Sequence, residues 1–497
     1  MIKTLSELKK SGWKSRSVKE EMRENLVKLL KNGEPLFTAI KGYDDTVIPQ
    51  LQTAILSRHN FILLGLRGQA KTRIARLCVE LLDEYMPVIE GSEINDDPYK
   101  PLSKFGKDIL EEKGENTPIA WVHRSERFTE KLATPDVSVA DLIGDADPIK
   151  AANMKLAYSD ERVIHYGLIP RAHRGIFVIN ELPDLQARIQ VSLFNILQEG
   201  DIQIRGFKVR LPLDIQFIFT ANPEDYTNRG SIVTPLKDRI DSQILTHYPK
   251  TIELGKEITL QESEISDDQR NNITVSDLLL TMIEKIAFEA RESDLVDKKS
   301  GVSARLTIAA LENLYSTAER RMLMNGESNT SARITDIFGT IQAITGKIEL
   351  VYEGELEGVN NVAGTLIGKA LRSLFTTYFP DPMKLKKSKK PNPYISVVTW
   401  FNDGNMADLS GSATNKVYEK TLNSIQGLEK LIKDLKPDVK GNEKLLLMEF
   451  LLFGLVEYSQ LSKHASGSGF KINDTLSGML NAGSDEDSGG YYESAEG

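Results

Sequence analysis

The sequence predicts an α/β fold in which a buried parallel sheet, covered by helices on both faces, is followed by a mostly helical half. Between residues 41 and 251, short apolar runs alternate with helix-like stretches. From about residue 252 onward, apolar residues recur at helical spacing instead. The 497 residues are enough for two or three domains.

The predicted sheet rests on four short apolar runs, each followed by polar or turn-forming residues. These runs are Phe61–Leu64, Ile119–Val122, Ile176–Ile179 and Ile215–Thr220. Continuous apolar runs of this length are typical of strands that are buried on both faces. The first forty residues have a different, helix-like pattern, so we expect a helical segment before the sheet begins.

The second half is predicted to be helical, with amphipathic stretches at Val275–Glu292, Leu306–Met324, Ala332–Tyr352 and Lys444–Leu461. One strand-like run, Tyr394–Phe401, interrupts these helices. The last stretch, from about residue 477, is rich in Gly, Ser, Asp and Glu. It is predicted to be a disordered acidic tail.

The composition narrows the class of protein. Hydrophobic residues make up 40% and charged residues 27%, which is typical of a globular protein. A net charge of -9 argues against a broad nucleic-acid-binding surface. No apolar run reaches the roughly 18 residues that cross a membrane, and the first residues lack the apolar core of a signal peptide. Because Cys78 has no partner for an internal disulfide, we expect a cytoplasmic protein without a membrane span.

The strongest motif is FILLGLRGQAKTR, residues 61–73, in which an apolar strand leads through a glycine-containing loop into a helix. Lys71 and Thr72 open the helix, as they do in phosphate-binding loops, although Ala70 replaces the second glycine of that pattern. Alanine tolerates helical dihedrals, so we expect the loop to form. The predicted nucleotide-binding residues are Gly65, Leu66, Arg67, Gly68, Gln69, Ala70, Lys71, Thr72 and Arg73. Their backbone N–H groups would face phosphate, Lys71 would bridge the β- and γ-phosphates, and the Thr72 hydroxyl would ligate Mg²⁺.

A second apolar strand, in GIFVINELPDL (residues 175–185), ends at Asn180 and Glu181. In phosphate-loop ATPases this place carries an acid that holds Mg²⁺ through water and then a Glu that polarises the attacking water. Glu181 is therefore the candidate general base. Asn180 can accept a hydrogen bond from a metal-bound water but brings no charge, so slow hydrolysis is an open alternative.

Three further polar residues have predicted catalytic roles. Asn222 follows the apolar strand of IQFIFTANPEDY (residues 215–226), where it can orient the attacking water. Arg239 lies just after the core and can reach a nucleotide in a neighbouring subunit, with Arg229 as a further candidate for that role. Arg305 opens a helix of the next domain and can reach the nucleotide of its own chain.

The order of these motifs resembles the AAA+ superfamily of ATPases. Within it, YGLIPRAHRGIFVINELPDL (residues 166–185) is similar to the magnesium-chelatase I subunit, which has a comparable LARAHRG segment. The following ELPDLQARIQVSLFNILQEGDIQI (residues 181–204) resembles the acidic strand and the helix after it in MoxR ATPases, which also often have Ala-Lys-Thr in the phosphate loop. IKGYDDTVIPQLQTAI (residues 40–55) resembles the helix that leads into the core and cups the adenine.

The resemblance implies an AAA+ phosphate-loop αβα sandwich with a parallel central sheet, a helical lid, and a ring of six subunits that binds ATP and Mg²⁺. It divides the chain into an N-terminal helical segment (1–40), an ATP-binding core (41–251), a helical lid (252–325), a mostly helical C-terminal region (326–476) and the acidic tail (477–497). Two inserted hairpins would face substrate, near Met154–Gly167 and Gly200–Leu211. Asn180 and the long C-terminal region depart from the family pattern.

Relatives of these groups act with a partner that has a von Willebrand factor A domain, so we expect a protein partner of that kind. In this chain, Asp408–Ser412 matches the metal motif of that domain by letter only. The strand before it ends too early and too little chain follows. We therefore interpret Asp408–Ser412 as a turn or a helix cap.

Four functions remain open at the level of sequence. The favoured one is an ATP-driven machine that remodels a partner protein or assists metal insertion. The second is the ATPase subunit of a magnesium chelatase itself. The third, suggested by Asn180, is a nucleotide-gated scaffold with little turnover. A sigma-54 activator is disfavoured because the sequence contains no GAFTGA-like loop and no convincing pair of DNA-binding helices.

Overall fold

The computed structural model describes residues 2–157, 160–204, 207, 210–227, 232–387, 391–466 and 469–475. These form two compact units, residues 1–248 and 249–497. The predicted acidic tail and Arg229 lie outside the described residues. In the described part of the chain, no helix is both long enough and apolar enough to cross a membrane.

The first unit is built around a five-stranded parallel sheet. We number its strands in chain order as β1 (Phe61–Leu64), β2 (Phe128–Leu132), β3 (Gly175–Asn180), β4 (Ile215–Ala221) and β5 (Ser242–Leu245). The spatial order is β5-β1-β4-β3-β2, and every neighbouring pair is parallel. β1 therefore lies beside β4, and β4 lies beside β3. The carboxyl ends of these three strands meet at one edge of the sheet.

Alternate residues of the strands contribute side chains to two separate hydrophobic cores, one on each face of the sheet. Ile62 and Leu64 of β1 contribute to one core, whereas Phe61 and Leu63 contribute to the other. Because successive side chains of a strand point to opposite faces, a sheet that is buried on both sides produces this division. The predicted αβα sandwich is thus confirmed.

Helices cover both faces. Those of the first unit are Leu5–Lys10, Val18–Asn32, Val47–Leu56, Lys71–Leu77, Lys104–Lys113, Val139–Leu142, Pro148–Met154, Leu168–Arg171, Ala187–Glu199, Pro223–Thr227 and Thr234–Asp238. Val18–Asn32, Val47–Leu56 and Lys71–Leu77 pack on the face that receives Phe61 and Leu63. Ala187–Glu199 packs on the opposite face through Ile189, Leu193 and Ile196.

One of the four predicted sheet strands was placed wrongly. The run at Ile119–Val122 does form a strand, Ile119–His123, but it pairs antiparallel with Tyr85–Ile89, outside the central sheet. The position at the edge of the sheet is taken by β2 instead. β2 (FTEKL) is partly exposed and largely polar, because an edge strand has only one neighbour and less apolar surroundings.

Of the two predicted hairpins, the structure confirms one and corrects the other. Asp201–Gln203 pairs antiparallel with Arg210–Pro212, as expected for Gly200–Leu211. Within Met154–Gly167, however, the described strand Ile164–Tyr166 pairs with Gly144–Ala146, and the helix Pro148–Met154 lies between these two strands in the chain.

The second unit is mostly helical. Its helices are Ile252–Glu262, Asp267–Asn272, Asp277–Glu292, Arg305–Met324, Ile334–Ile337, Ile341–Thr345, Tyr352–Glu357, Val359–Tyr378, Pro382–Lys387, Ile395–Asn402, Asn415–Ser424, Leu428–Leu435 and Gly441–Glu457. Ile273–Thr274 pairs with Thr330–Ser331, and Ala407–Leu409, Gly469–Asn473 and Ser462–Ser466 form a small antiparallel sheet. The boundary between lid and C-terminal region stays a prediction.

Two expectations for this unit were wrong and a third was right only in part. The strand-like run Tyr394–Phe401 is a helix, Ile395–Asn402, because its apolar side chains Val397 and Phe401 lie four positions apart on one buried face. The predicted long helix Ala332–Tyr352 is broken into short pieces. Within the predicted turn or cap at Asp408–Ser412, residues 411 and 412 do form a turn, whereas Asp408 lies in the strand Ala407–Leu409. The described residues contain no group of three or more His, Cys, Asp or Glu side chains placed to hold a metal ion.

Candidate functional site

The phosphate-binding loop joins β1 to the helix Lys71–Leu77 at the carboxyl edge of the sheet. Gly65 has no room for a side chain. A Cβ there would lie 1.8 Å from Thr246 Oγ1 and 2.3 Å from Gln69 Oε1. These two side chains are themselves joined, since Thr246 Oγ1 donates a 2.8 Å hydrogen bond to Gln69 Oε1. The loop is therefore held against the residues that follow β5.

Ala70 adopts a left-handed backbone conformation, with φ 57° and ψ 17°. The expectation that it would take ordinary helical dihedrals was wrong. A left-handed conformation costs a residue with a Cβ about 1–2 kcal/mol relative to the right-handed one. The glycine that the usual motif has at this position would avoid that cost. The loop thus keeps its shape despite local strain, as functional loops often do.

Lys71 is buried within this loop. Its Nζ donates hydrogen bonds to the carbonyl oxygen of Gly65, to the carbonyl oxygen of Leu66 at 3.2 Å and to Asn222 Oδ1 at 3.3 Å. Burial lowers the pKa of the Lys71 ammonium, and the Glu181 and Asp225 carboxylates partly oppose that effect. The structure therefore brings three predicted site residues, Lys71, Asn222 and Glu181, to one edge of the sheet.

Glu181 directly follows β3 and also has a left-handed conformation, with φ 52° and ψ 52°. Its backbone N–H donates a 3.1 Å hydrogen bond to Thr220 Oγ1 on β4. Asn222 follows β4, and its Nδ2 donates to Asp225 Oδ2 at 3.1 Å. The neighbouring strands thus place a half-buried carboxylate and a half-buried amide beside the loop lysine.

Asn180, the last residue of β3, is buried and hydrogen-bonded on both sides of its carboxamide. Asn180 Nδ2 donates to Glu130 Oε1 at 2.6 Å, and Thr220 Oγ1 donates to Asn180 Oδ1 at 3.0 Å. Glu130 lies on β2 and also accepts two hydrogen bonds from Arg76, at 2.8 and 3.2 Å. Arg76 belongs to the helix that Lys71 and Thr72 open.

The segment before the core contacts the other side of the loop. The Tyr43 hydroxyl donates to the carbonyl oxygens of Gln69 at 3.0 Å and of His247 at 2.8 Å. Burial raises the pKa of Tyr43 to about 12, so the phenol stays a hydrogen-bond donor near neutral pH. Thr46 Oγ1 is 2.9 Å from His247 Nε2. These contacts tie the entry to the helix Val47–Leu56 to the phosphate loop.

Two predicted arginines lie elsewhere. The Arg239 guanidinium donates to Gln198 Oε1 at 2.6 and 3.0 Å and lies over the Phe194 ring, so it contacts the helix Ala187–Glu199. Arg305 is exposed at the start of the helix Arg305–Met324 in the second unit. The structure does not test their predicted roles in a neighbouring subunit or in the lid.

Sequence reasoning missed four members of this site, namely Arg76, Glu130, Thr220 and Asp225. Arg76 could have been found, because it lies four residues after Thr72 and hence on the same face of the helix. Thr220 and Asp225 flank Asn222 and could have been included with it. Glu130 gave no signal, because its strand is not an apolar run.

Comparison with known proteins gives partial matches. A family model described as the sigma-54 interaction domain matches residues 153–243. The magnesium-chelatase 38 kDa subunit of Cereibacter sphaeroides is 24% identical over 236 residues, which are 47% of this chain and 64% of that protein. The corresponding subunit of Rhodobacter capsulatus is 24% identical over 238 residues, 47% of this chain and 62% of that protein. The matches thus span less than two thirds of these relatives.

Among solved structures, the complex between subunits BchI and BchD of magnesium chelatase includes a chain that is 19% identical, with a TM-score of 0.33. The match covers 65% of this chain and 98% of that one. NtrX from Brucella abortus in complex with ATP is 12% identical, with a TM-score of 0.35, over 73% of this chain and 68% of that one.

The parallel sheet, its phosphate loop and the polar residues at the strand ends form an AAA+ phosphate-loop fold. Within that fold class, part of the chain is similar to the magnesium-chelatase 38 kDa subunits. A nucleotide-binding protein of this kind has its site at the carboxyl edge of the sheet.

Proposed function

We propose that the chain binds ATP with Mg²⁺ at the carboxyl edge of the central sheet and hydrolyses it. The observation that carries this proposal is the convergence of Lys71, Glu181 and Asn222 from three adjacent strands. A lysine in a phosphate loop, a carboxylate and an amide are the groups that a phosphoryl-transfer site uses.

Each residue has a role that follows from its position. Lys71, which already bonds to loop carbonyls, holds the β- and γ-phosphates, and backbone N–H groups of residues 65–73 surround the phosphate chain. Glu181 accepts the proton of the attacking water, and Asn222 orients that water. Thr72 and, through water, Asn180 are the residues that would hold Mg²⁺, which neutralises the charge that develops on the phosphates.

The two predicted arginines have proposed roles in a ring of subunits and in the lid. Arg239 lies on the surface of the core against the helix Ala187–Glu199, where it can reach a site in a neighbouring subunit of a ring, for which we propose six copies. Arg305 is proposed to contact the nucleotide of its own chain from the lid. Charges of this kind typically contribute about 10³–10⁵-fold to turnover.

The work that hydrolysis supports is proposed to be remodelling of a partner protein or assistance in metal insertion. The similarity to magnesium-chelatase 38 kDa subunits supports this class of function. A partner with a von Willebrand factor A domain fits the same group. A role as the ATPase subunit of a magnesium chelatase is compatible with this proposal.

A nucleotide-gated scaffold with little turnover is the second candidate. One observation favours it, because the carboxamide of Asn180 is already bonded to Glu130 and Thr220 and carries no charge of its own. In this case ATP would bind tightly and phosphate would be released only very slowly.

The test is phosphate release from ATP with Mg²⁺ by the purified chain, compared with Lys71→Ala, Glu181→Gln and Glu112→Gln. Glu181→Gln should lower turnover by about 10²–10⁴-fold, because a general base contributes that much. Lys71→Ala should abolish nucleotide binding, and Glu112→Gln, an exposed helix residue, should behave like the native chain. Undiminished turnover in Glu181→Gln would refute the assigned base. Tight binding without phosphate release by the native chain would favour the scaffold.

A further inference from the structure

We propose that Glu130 is the positioning carboxylate of the proposed magnesium site. It orients the carboxamide of Asn180 and supplies, from the neighbouring strand, the negative charge that Asn180 lacks. This inference rests on the proposed function, because it assigns a role in holding Mg²⁺ with bound nucleotide.

The pairing of β2 with β3 places Glu130 and Asn180 on one face of the sheet. Leu132 of β2 is paired with Asn180 of β3, and Glu130 is paired with Val178. Residues two apart on a strand share a face, so Glu130 and Asn180 lie on the same face of the sheet. Val178 belongs to the core that packs on the helix Lys71–Leu77. Glu130 therefore lies on the face that carries the phosphate-loop helix.

The hydrogen bond to Glu130 sets the orientation of the Asn180 carboxamide. A carboxylate only accepts hydrogen bonds, so its 2.6 Å contact with Asn180 must come from the amide nitrogen. The amide oxygen of Asn180 is then turned toward Thr220 Oγ1, and Thr220 Oγ1 also accepts the backbone N–H of Glu181. A hydrogen-bonded chain thus runs from Glu130 through Asn180 and Thr220 to the backbone of the proposed base.

Glu130 also brings a negative charge to this part of the sheet. An acid at position 180 would have brought one negative charge to this point. Glu130 brings the same charge within one hydrogen bond of it. Arg76 lies one helical turn after Thr72 and holds Glu130 through two hydrogen bonds, so the carboxylate is fixed between the proposed metal-ligating helix and Asn180. The carboxylate has in effect moved by one strand, and the Arg76 guanidinium, whose side chain is 63% exposed, offsets only part of its charge.

The hydrogen bond between the two side chains allows an exchange experiment. Glu130→Gln keeps an acceptor for Asn180 and removes the charge. The double variant Glu130→Gln/Asn180→Asp restores the charge at position 180 and keeps an amide-to-carboxylate hydrogen bond, with the two groups exchanged. Glu112→Gln is the matched control, because it makes the same chemical change at an exposed helix position outside the site.

The measurement is the affinity of each full chain for a fluorescent N-methylanthraniloyl-ADP, in excess Mg²⁺ and in chelator. The ratio of the two affinities isolates the metal contribution, since a purely structural defect changes both. We expect Glu130→Gln to lower this ratio about tenfold, as the loss of a group that orients a metal ligand does. The exchanged double variant should recover it, and Glu112→Gln should keep the native ratio.

An unchanged ratio in Glu130→Gln, or a double variant as poor as Glu130→Gln, would overturn the inference. So would a loss in Glu112→Gln as large as that in Glu130→Gln, because the effect would then not depend on this site. If the native chain bound the nucleotide in neither condition, the proposed function would fail, and this inference with it. If the native chain binds the nucleotide and Glu130→Gln leaves the affinity ratio unchanged, only this inference is overturned.

Discussion

The two ends of the central sheet are both lined with polar and charged side chains, yet they are built differently. At the carboxyl end, Glu181 and Asn222 are half-buried. At the amino end, Arg127 and Arg174 are almost fully enclosed by protein. Left-handed backbones occur at both ends, at Ala70 and Glu181 and at Arg174.

The amino end is organised by Arg127, which comes just before β2. Its guanidinium donates two hydrogen bonds to Glu21, at 2.8 and 2.6 Å, and two to the carbonyl oxygen of Arg174, at 2.9 and 2.8 Å. Arg127 is 1% exposed and Glu21 is 4% exposed. Because Glu21 lies on the helix Val18–Asn32, this cluster fastens the N-terminal segment to the sheet.

The difference shows how to separate structural from functional polar groups in such a fold. Where a buried charge has its hydrogen-bonding capacity taken up by protein groups, its removal should affect stability. Where charged and amide groups remain half-buried beside a strained loop, they are available to a ligand, and their removal should affect binding or turnover.

The largest expected effect on stability comes from Arg127→Ala. Removing one partner of a buried ion pair typically costs about 3–5 kcal/mol, because the other charge stays buried without compensation. Chemical denaturation should show this loss in the free energy of unfolding of the first unit. The double variant Arg127→Met/Glu21→Met should lose much less, since it leaves no unpaired charge.

Arg127→Ala also tests the division between the two ends. The Mg²⁺ dependence of nucleotide affinity should match that of the native chain at temperatures where the variant is folded. A loss in unfolding free energy below about 1 kcal/mol would place this pair among surface ion pairs and contradict its structural role.

The next effect concerns pH and a second pair at the amino end. Burial lowers the pKa of His173 to about 4 from an ordinary 6.5, and Arg174 adds to that effect. Burial raises the pKa of Asp214 to about 6 from 3.8. The two are in contact, since the backbone N–H of Asp214 donates to His173 Nδ1 at 2.9 Å. The neutral imidazole is required for that bond.

These shifts act in opposite directions on stability. The contribution of neutral His173 is present above pH 6.5 and is lost as the pH falls toward 4. The contribution of neutral Asp214 is complete below pH 3.8 and is lost as the pH rises through 6. Between pH 6 and 4 they largely cancel, so this pair should leave the stability of the native chain nearly flat.

Single substitutions should reveal how the unfolding free energy depends on pH through each of the two groups. Relative to the native chain, His173→Gln should gain unfolding free energy on acidification from pH 6.5 to 4, and Asp214→Asn should lose it, each by up to roughly 3 kcal/mol. Denaturation curves at several pH values would measure both. Parallel pH profiles for the two variants would show that the pair does not titrate as described.

The sequence predicted the parts of this fold that depend on local pattern. Phe61–Leu64, Ile176–Ile179 and Ile215–Thr220 are continuous apolar runs, and each became a strand of the central sheet. The two edge strands were missed, because Phe128–Leu132 and Ser242–Leu245 are partly exposed and contain only two apolar residues each. Ile395–Asn402 was taken for a strand because its β-branched and aromatic residues favour strands, whereas packing decided for a helix.

The candidate site was predictable along single strands but not across them. Lys71 was found from the phosphate-loop motif, and Glu181 and Asn222 were found because each closely follows an apolar run. The contact between Asn180 and Glu130 joins residues 50 positions apart. It depends on the register of β2 against β3, which no local pattern specifies. The left-handed conformation of Ala70 was missed for a similar reason, since an alanine at a helix start gives no sign of positive φ.

The smallest expected effect is at the carboxyl end, where Ala70→Gly should raise the free energy of unfolding by about 0.5–1 kcal/mol, measured by denaturation without nucleotide. Removing the Cβ relieves a left-handed conformation, while the freer unfolded chain and lost packing offset part of the gain. Ala75→Gly, inside the same helix, should instead lower it by about 1 kcal/mol or more. If Ala70→Gly also destabilised the chain, the loop would carry no strain at this residue. The contrast between the two ends would then rest on the burial of their polar side chains, since left-handed backbones occur at both ends.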